Sequence, residues 1–262
     1  MISVRPSARR AKVAVTAVTL VAAAATSASY APEGGAATAS TPASSAPAPA
    51  AKASKWRETF HDEFSGKSIN TRKWAVYNRG ERTAKHAFQS KGHLVLRTAK
   101  VDGRWKAAGV SSSRALKQKY GRYVIRARLE KGAGTRAVAL LWPSGHVWPP
   151  EIDFFELGAS DPNRTRAFVT NHYTEHNRMQ RSVVGGKYTG WHRMAVTWRP
   201  HKIVYRRDGD VVAVHRGHSP SREMWLGLQS GLGSGRTAPN SSTPSKVDFV
   251  IDWVRVFRLP GH

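Results

Sequence analysis

From Trp56 onward the chain is a succession of short β-branched or alternating runs, each closed off by Gly, Pro, Asn or Asp. They are His93–Thr98, Tyr120–Leu129, Arg136–Leu141, Ala167–His172, Met194–Trp198, Lys202–Arg206, Val211–His215 and Val247–Phe257. No long stretch repeats its apolar residues at helical spacing. Runs this short cannot bury themselves singly. They must pair edge to edge, and two sheets must face each other to hide one side of each. The pattern predicts an all-β sandwich or barrel. Asp208-Gly209, set between two of the runs, is a dipeptide that accepts the positive φ of a tight hairpin. No tandem repeat divides the region, so residues 56–262 are expected to form one domain.

The preceding residues have a different character. Arg5, Arg9, Arg10 and Lys12 form a basic leader, and Val13 to Ala25 is an apolar run too short to span a bilayer comfortably. Thr26-Ser27-Ala28 follows as a small-residue cleavage site. Residues 1–28 therefore read as a signal peptide, with Arg9-Arg10 hinting at a twin-arginine route. Residues 29–55, rich in Ala, Ser, Pro and Thr, have too little apolar surface to fold and read as a flexible linker. The expected location is secreted and extracellular, without a membrane span in the mature form. The sequence contains no cysteine, so the domain must be held by packing alone, and thiol chemistry is excluded.

The formal charge is +25, from 42 basic and 17 acidic residues, and about +21 remains without the leader. Such a surface attracts polyanions, among them anionic wall polymers, nucleic acid and acidic polysaccharide. It also suits a merely well-solvated protein. The basic residues are scattered, and no motif for specific nucleic-acid recognition is present.

The stretch Glu151-Ile152-Asp153-Phe154-Phe155-Glu156 carries the chemistry. On a strand Glu151 and Asp153 share a face, whereas Glu156, five residues on, falls on the other. A one-residue bulge at Phe154-Phe155 restores Glu156 to the first face and leaves the phenylalanines to the core. Three acids on one face repel one another and retain at least one proton. Cleavage of a glycosidic bond with retention needs one ionised and one protonated carboxyl roughly 5 Å apart. A polar strand face in solvent is the plainer reading of the hexapeptide alone.

The wider chain resembles glycoside hydrolase family 16, in its laminarinase-like branch with the bulged E-x-D-x-x-E signature. The resemblance runs from Phe60-His61-Asp62-Glu63-Phe64-Ser65-Gly66 and Lys73-Trp74, through Gly92–Leu96, Gly109–Ser113 and Tyr120–Arg128, to Ala139–Pro143. Asn171-His172-Tyr173, Trp191-His192, Trp198, Asp208-Gly209 and Ile251–Val256 follow in family order. It implies a β-jelly-roll, concanavalin A-like sandwich with an open concave cleft. Glu151 would be the nucleophile and Glu156 the acid/base, with Asp153 assisting between them.

The resemblance also places Trp142 and Trp148 as sugar platforms, with core packing the alternative for each. His172 would tune the acid/base or bind a hydroxyl, and Gln229 would present an amide to the cleft. Asn78 and Arg79 would lie at its non-reducing end. Catalysis would need no cofactor. A structural calcium would sit on the convex face against Glu63, the Gly92 carbonyl and Asp252, whose oxygens suit that ion. Two positions depart from the family: Val124 stands where Glu is frequent, and Pro150 where Gly precedes the first catalytic Glu. The expected activity is endo-hydrolysis of β-1,3- or mixed-linkage glucan by a monomer. Hydrolysis of an anionic galactan, and non-catalytic binding of polysaccharide or cell wall, are the alternatives.

Overall fold

The computed structural model describes residues 56–145, 147–176, 178–259 and 261. The expected signal peptide (1–28) and linker (29–55) lie outside the described residues. Sixteen strands follow in order: β1 Arg57–Asp62, β2 Ala75–Val76, β3 Ala87–Ser90, β4 His93–Val101, β5 Arg104–Lys106, β6 Gly109–Ser111, β7 Gly121–Leu129 and β8 Thr135–Pro143. Then come β9 Glu151–Leu157, β10 Arg166–His172, β11 Met179–Gly185, β12 His192–Arg199, β13 Lys202–Arg207, β14 Asp210–Arg216, β15 Met224–Leu232 and β16 Lys246–Arg258. Two single 3-10 turns, Ala84–His86 and Gly235–Thr237, are the helical elements among the described residues. No helix there is long and apolar enough to cross a membrane.

The strands form a sandwich of two antiparallel sheets, the expected jelly-roll. The first sheet runs β14-β13-β12-β7-β16-β4-β3, with β1 on β16 and β5 on β4. The second runs β11-β10-β9-β8-β15-β6-β2. Every run singled out in the sequence lies within a strand, Tyr120 alone standing one residue outside. The β13–β14 hairpin turns on Asp208 and Gly209, with φ of 55° and 113°, as the dipeptide predicts.

Alternation explains the core. Inward positions of β7 and β12 supply Tyr123, Ile125, Met194 and Val196, all fully buried. From the second sheet Phe155 meets them, stacking on Phe249 at 5.8 Å and meeting Tyr188 edge-on at 5.6 Å. Burying one such ring contributes about 1.5–3 kcal/mol. Two of the largest core side chains have their polar ends satisfied: Trp198 Nε1 donates to the Pro220 carbonyl at 2.9 Å, and Trp74 Nε1 to Asp62 at 2.8 Å.

Just past β9 a fully buried arginine ties the loops together. Arg164 donates to the carbonyls of Glu130, Gly132, Thr135, Gly158 and Asp161 at 2.7–3.2 Å. Burial pushes its guanidinium down to about 10, and the ring of carbonyl dipoles offsets the loss of water. The end of β9 is thereby fixed against the loop that follows β7.

Candidate active site

The site is built on β9. Ile152, Phe154, Phe155 and Leu157 are fully buried, so their carboxylate neighbours face outward. The register shows how. Against β8, Ala139 pairs with Phe155 but Leu140 with Asp153; against β10, Phe168 pairs with Glu156 but Thr170 with Asp153. One extra residue sits in β9 between Asp153 and Phe155. This bulge turns two consecutive phenylalanines into the core and returns Glu156 to the face of Glu151 and Asp153, as the sequence predicted.

Neighbouring strands complete a cleft of about 260 Å³ that includes all three acids. Arg136, Val138, Leu140 and Trp142 alternate along β8 to form its floor and wall. On β15, Gln229 lies opposite Val138, while Gly227 and Gly231 lie opposite Leu140 and Arg136. A Cβ at Gly227 would come within 3.1 Å of Leu140, and one at Gly231 within 3.0 Å of Arg136. Glycine at these two positions leaves room for the cleft-lining side chains.

The acids differ in their partners. Trp148 Nε1 donates to Glu151 Oε2 at 2.8 Å, and His172 Nε2 lies 3.2 Å from Asp153 Oδ2. Burial, reinforced by the charge of Asp153, pushes the Glu151 carboxyl up to about 8. A glycosidase nucleophile must be ionised, which at first sight conflicts with that value. The Trp148 indole N–H and the neighbouring His172 pull the other way, towards the ionised form. Once ionised, Glu151 is the carboxylate that the Trp148 indole supports. Glu156 is likewise raised, by burial and then by Asp153, while Arg181 and Arg136 pull it back. Arg181 Nη2 reaches Glu156 Oε2 at 3.1 Å, with its guanidinium 3.9 Å above the Phe168 ring. The arrangement can hold a buried carboxylate and a protonated carboxyl on one face, which is what general acid catalysis beside a nucleophile needs.

Trp142, His172 and Gln229 line the cleft. Trp148 touches it through Glu151, with its ring 5.9 Å from that of His172. Gln229 Oε1 accepts from Arg82 Nη2 at 2.5 Å, so the amide is engaged from the side. The loop after Trp74 does reach the cleft, but through Arg82 and not through Asn78 and Arg79. Asn78 Oδ1 is turned to the Ala84 backbone N–H at 3.1 Å, and the Arg79 carbonyl closes a turn onto Arg82 N–H at 3.1 Å. The physical reason is that Asn favours local side-chain-to-backbone bonds in turns. Arg136 and Arg181 escaped the sequence reading because only cross-strand register brings them to Glu156, and Arg82 because only a loop bridge brings it to Gln229. The identity of β11 as a strand would have found Arg181.

The calcium donor set does not fit as it stands. Asp252 is paired with Arg126 and lies 3.5 Å from His93, and Glu63 accepts from Arg255 at 2.9 Å. Both carboxylates already face guanidinium groups, so a cation there would have to displace them. Gly92, with φ of 76°, is half of the tight β3–β4 turn with Lys91 at 52°, a role that needs no ion.

Several known proteins are similar to this chain in sequence or fold. An endo-1,3-1,4-beta-glycanase, EglC, of Rhizobium meliloti is 27% identical over 146 residues, covering 54% of this chain and 31% of that protein. The chain thus spans about a third of the length of the curated relatives it matches. The laminarinase of Rhodothermus marinus superimposes with a TM-score of 0.70 at 21% identity, over 79% of this chain and 99% of that one. The endo-beta-1,3-glucanase of Pyrococcus furiosus does so at 0.69 and 19%, over 80% and 97%. At such identities the superpositions establish the sandwich fold. The sequence profile of the glycosyl hydrolases family 16 matches residues 73–255, more than half of the chain and including β9 with its three acids; the chain belongs to that family.

Proposed function

We propose that this chain is an exported endo-hydrolase of β-1,3- or mixed-linkage β-1,3-1,4-glucan that acts by double displacement with retention. The observation that carries the proposal is the bulge in β9, which gathers Glu151, Asp153 and Glu156 in one cleft. Glu151 attacks the anomeric carbon while Glu156 protonates the departing glycosidic oxygen, so the C–O bond breaks as the glycosyl–enzyme ester forms. Glu156, now a carboxylate, takes a proton from the water that cleaves the ester. The charge of Asp153, between them, raises the carboxyl of Glu156 and so favours a retained proton on the acid. Trp142, on the cleft wall, offers a ring face to a pyranose. Names of the relatives support the glucan assignment, and the basic leader with its apolar run supports export. Neither a cofactor nor a second subunit enters the chemistry, and the acting species is taken as a monomer.

Glu151→Gln and Glu156→Gln are each expected to lower kcat on laminarin or lichenan by several orders of magnitude while leaving the fold and glucan binding nearly intact. Product anomers followed by proton NMR should show initial retention of the β configuration. Undiminished hydrolysis in either variant, or initial inversion, would remove the mechanism.

A second reading, an acidic galactan as substrate, is favoured by one observation. Arg82 and Arg136 line the cleft on the Glu156 side, and Arg181 stands against Glu156. A KM that climbs steeply with salt on agar- or carrageenan-type polymers, with no turnover of laminarin, would select it.

A further inference from the structure

The outer face of the first sheet, on the far side of the sandwich from the cleft, gathers arginines around an apolar centre. Tyr123, Ile125, Met194, Val196 and Tyr205 point inward and are fully buried, so their neighbours on β7, β12 and β13 point out. Register sets those neighbours in rows across the strands. Arg206, Ala195, Val124 and Arg255 lie in one row. Arg122 lies beside Thr197 in the next, and Arg193 beside Arg126 in the row on the other side. The centre, Ala195 and Val124, is small, apolar and buried. Around it opens a groove of about 230 Å³, rimmed by Arg122, Arg193, Arg206 and Arg255, with Trp253 and Phe257 along one wall.

The cations of this groove are poorly neutralised. Arg255 is paired with Glu63. Among the described residues Arg122, Arg193 and Arg206 form no ion pair. Arg193 Nη2 donates to the Asp208 carbonyl at 3.0 Å, and Arg206 Nη1 lies 3.5 Å from Thr197 Oγ1. Arg122 Nε is buried without a hydrogen-bond partner. Burial holds the Arg122 guanidinium below its ordinary range, and the neighbouring Arg206 and Arg193 charges add to the effect. The three guanidinium groups stand on adjacent strands, Arg122 and Arg193 in the rows on either side of Arg206, and with no acid between them they repel one another until an anion joins them. An orphaned N–H at the rim is a donor awaiting an acceptor.

We propose that this groove is a binding site for an acidic polysaccharide, whose sulfate or carboxylate groups bridge Arg122, Arg193 and Arg206 while a sugar ring rests against Trp253 and Phe257. Arginine forks match the planar or tetrahedral oxygens of such groups. The aromatic wall and apolar floor favour a ring with an apolar face over a bare inorganic anion. Lying on the opposite sheet, the site leaves the cleft free, so the chain can be held on one polymer while its carboxylates face another. This inference does not depend on which glycan the cleft hydrolyses.

The test is calorimetric binding of a heparin-derived octasaccharide to the whole chain at low salt, for the wild type and for the Arg122→Gln/Arg206→Gln double variant. The double variant is expected to bind at least about tenfold more weakly. Its plot of log affinity against log salt should flatten by about one unit or more. Lys67→Gln/Lys131→Gln, which removes the same charge from exposed positions elsewhere, should change affinity less than about twofold. Laminarin hydrolysis, followed in parallel, should be the same in all three proteins, which separates this site from the cleft. Should Arg206→Gln alone be the better-folded variant by thermal melting, it carries the same expectation at about half the slope change. Equal losses in both double variants would show diffuse charge and overturn the proposal. So would absence of octasaccharide binding, or a duplex DNA that binds more tightly than the octasaccharide through the same arginines.

Discussion

Replacing Trp148 by Phe removes one hydrogen bond from the proposed nucleophile and little else. The indole N–H donates to Glu151 Oε2 at 2.8 Å, and a phenyl ring keeps the packing against His172, whose ring lies 5.9 Å away. A hydrogen bond to a charged group contributes about 1.5–3 kcal/mol, and the partly buried setting argues for the lower half of that range. The bond favours the ionised carboxylate, so its loss raises the Glu151 pKa from a value already pushed up to about 8. At about 1.36 kcal/mol per pH unit, the rise is roughly one to one and a half units. Because attack needs ionised Glu151, the acidic limb of kcat/KM should move upward by that amount. At a fixed pH below the limb the variant should be about ten- to thirtyfold slower, and above it the two enzymes should converge. The assay is the pH dependence of kcat/KM on soluble laminarin, which reports the free enzyme. An acidic limb that stays in place, or a rate loss equal at every pH, would refute the claim that Trp148 acts by supporting the Glu151 charge.

Two further outcomes follow from the same geometry. Arg181→Gln takes away a cation that lowers Glu156, so the basic limb, where the proton donor is lost, should shift to higher pH; the half-exposed ion pair limits this to less than about one unit, readable in the same profile. Phe155→Ala empties a fully buried ring site between Phe249 and Tyr188, and should lower unfolding free energy by about 3–5 kcal/mol in denaturant titration.

What the sequence discloses and what it hides divides along physical lines. Strands rich in β-branched and aromatic residues were legible: β4, β7, β12 and β13 each carry such a run, and the Asp208-Gly209 turn announced its hairpin. The bulge was legible too, because two adjacent phenylalanines cannot both be buried on a regular strand that also presents Glu156 outward. β15 was hard to see. Its Met-Trp-Leu-Gly-Leu-Gln-Ser-Gly-Leu reads as punctuated by turns, yet both glycines sit in mid-strand where Leu140 and Arg136 cover the backbone. β11 is an edge strand with mostly exposed or half-buried residues, so it lacks the apolar alternation that marks a strand. Missing β11 meant missing Arg181.

The arginines pose the same problem on a larger scale. Along the chain Arg122, Arg193 and Arg206 stand far apart and look like the dispersed charge of a soluble surface. Antiparallel register cancels that separation: β12 pairs with both β7 and β13, so positions 71 and 13 residues apart become near neighbours across one or two strand spacings. Nothing in local composition encodes such a neighbourhood, since it exists only once the strand order is fixed. The three acids of the cleft escape this difficulty because all ride on one strand. A site confined to one element can be read from its spacing, whereas a site shared between elements becomes visible only through their pairing.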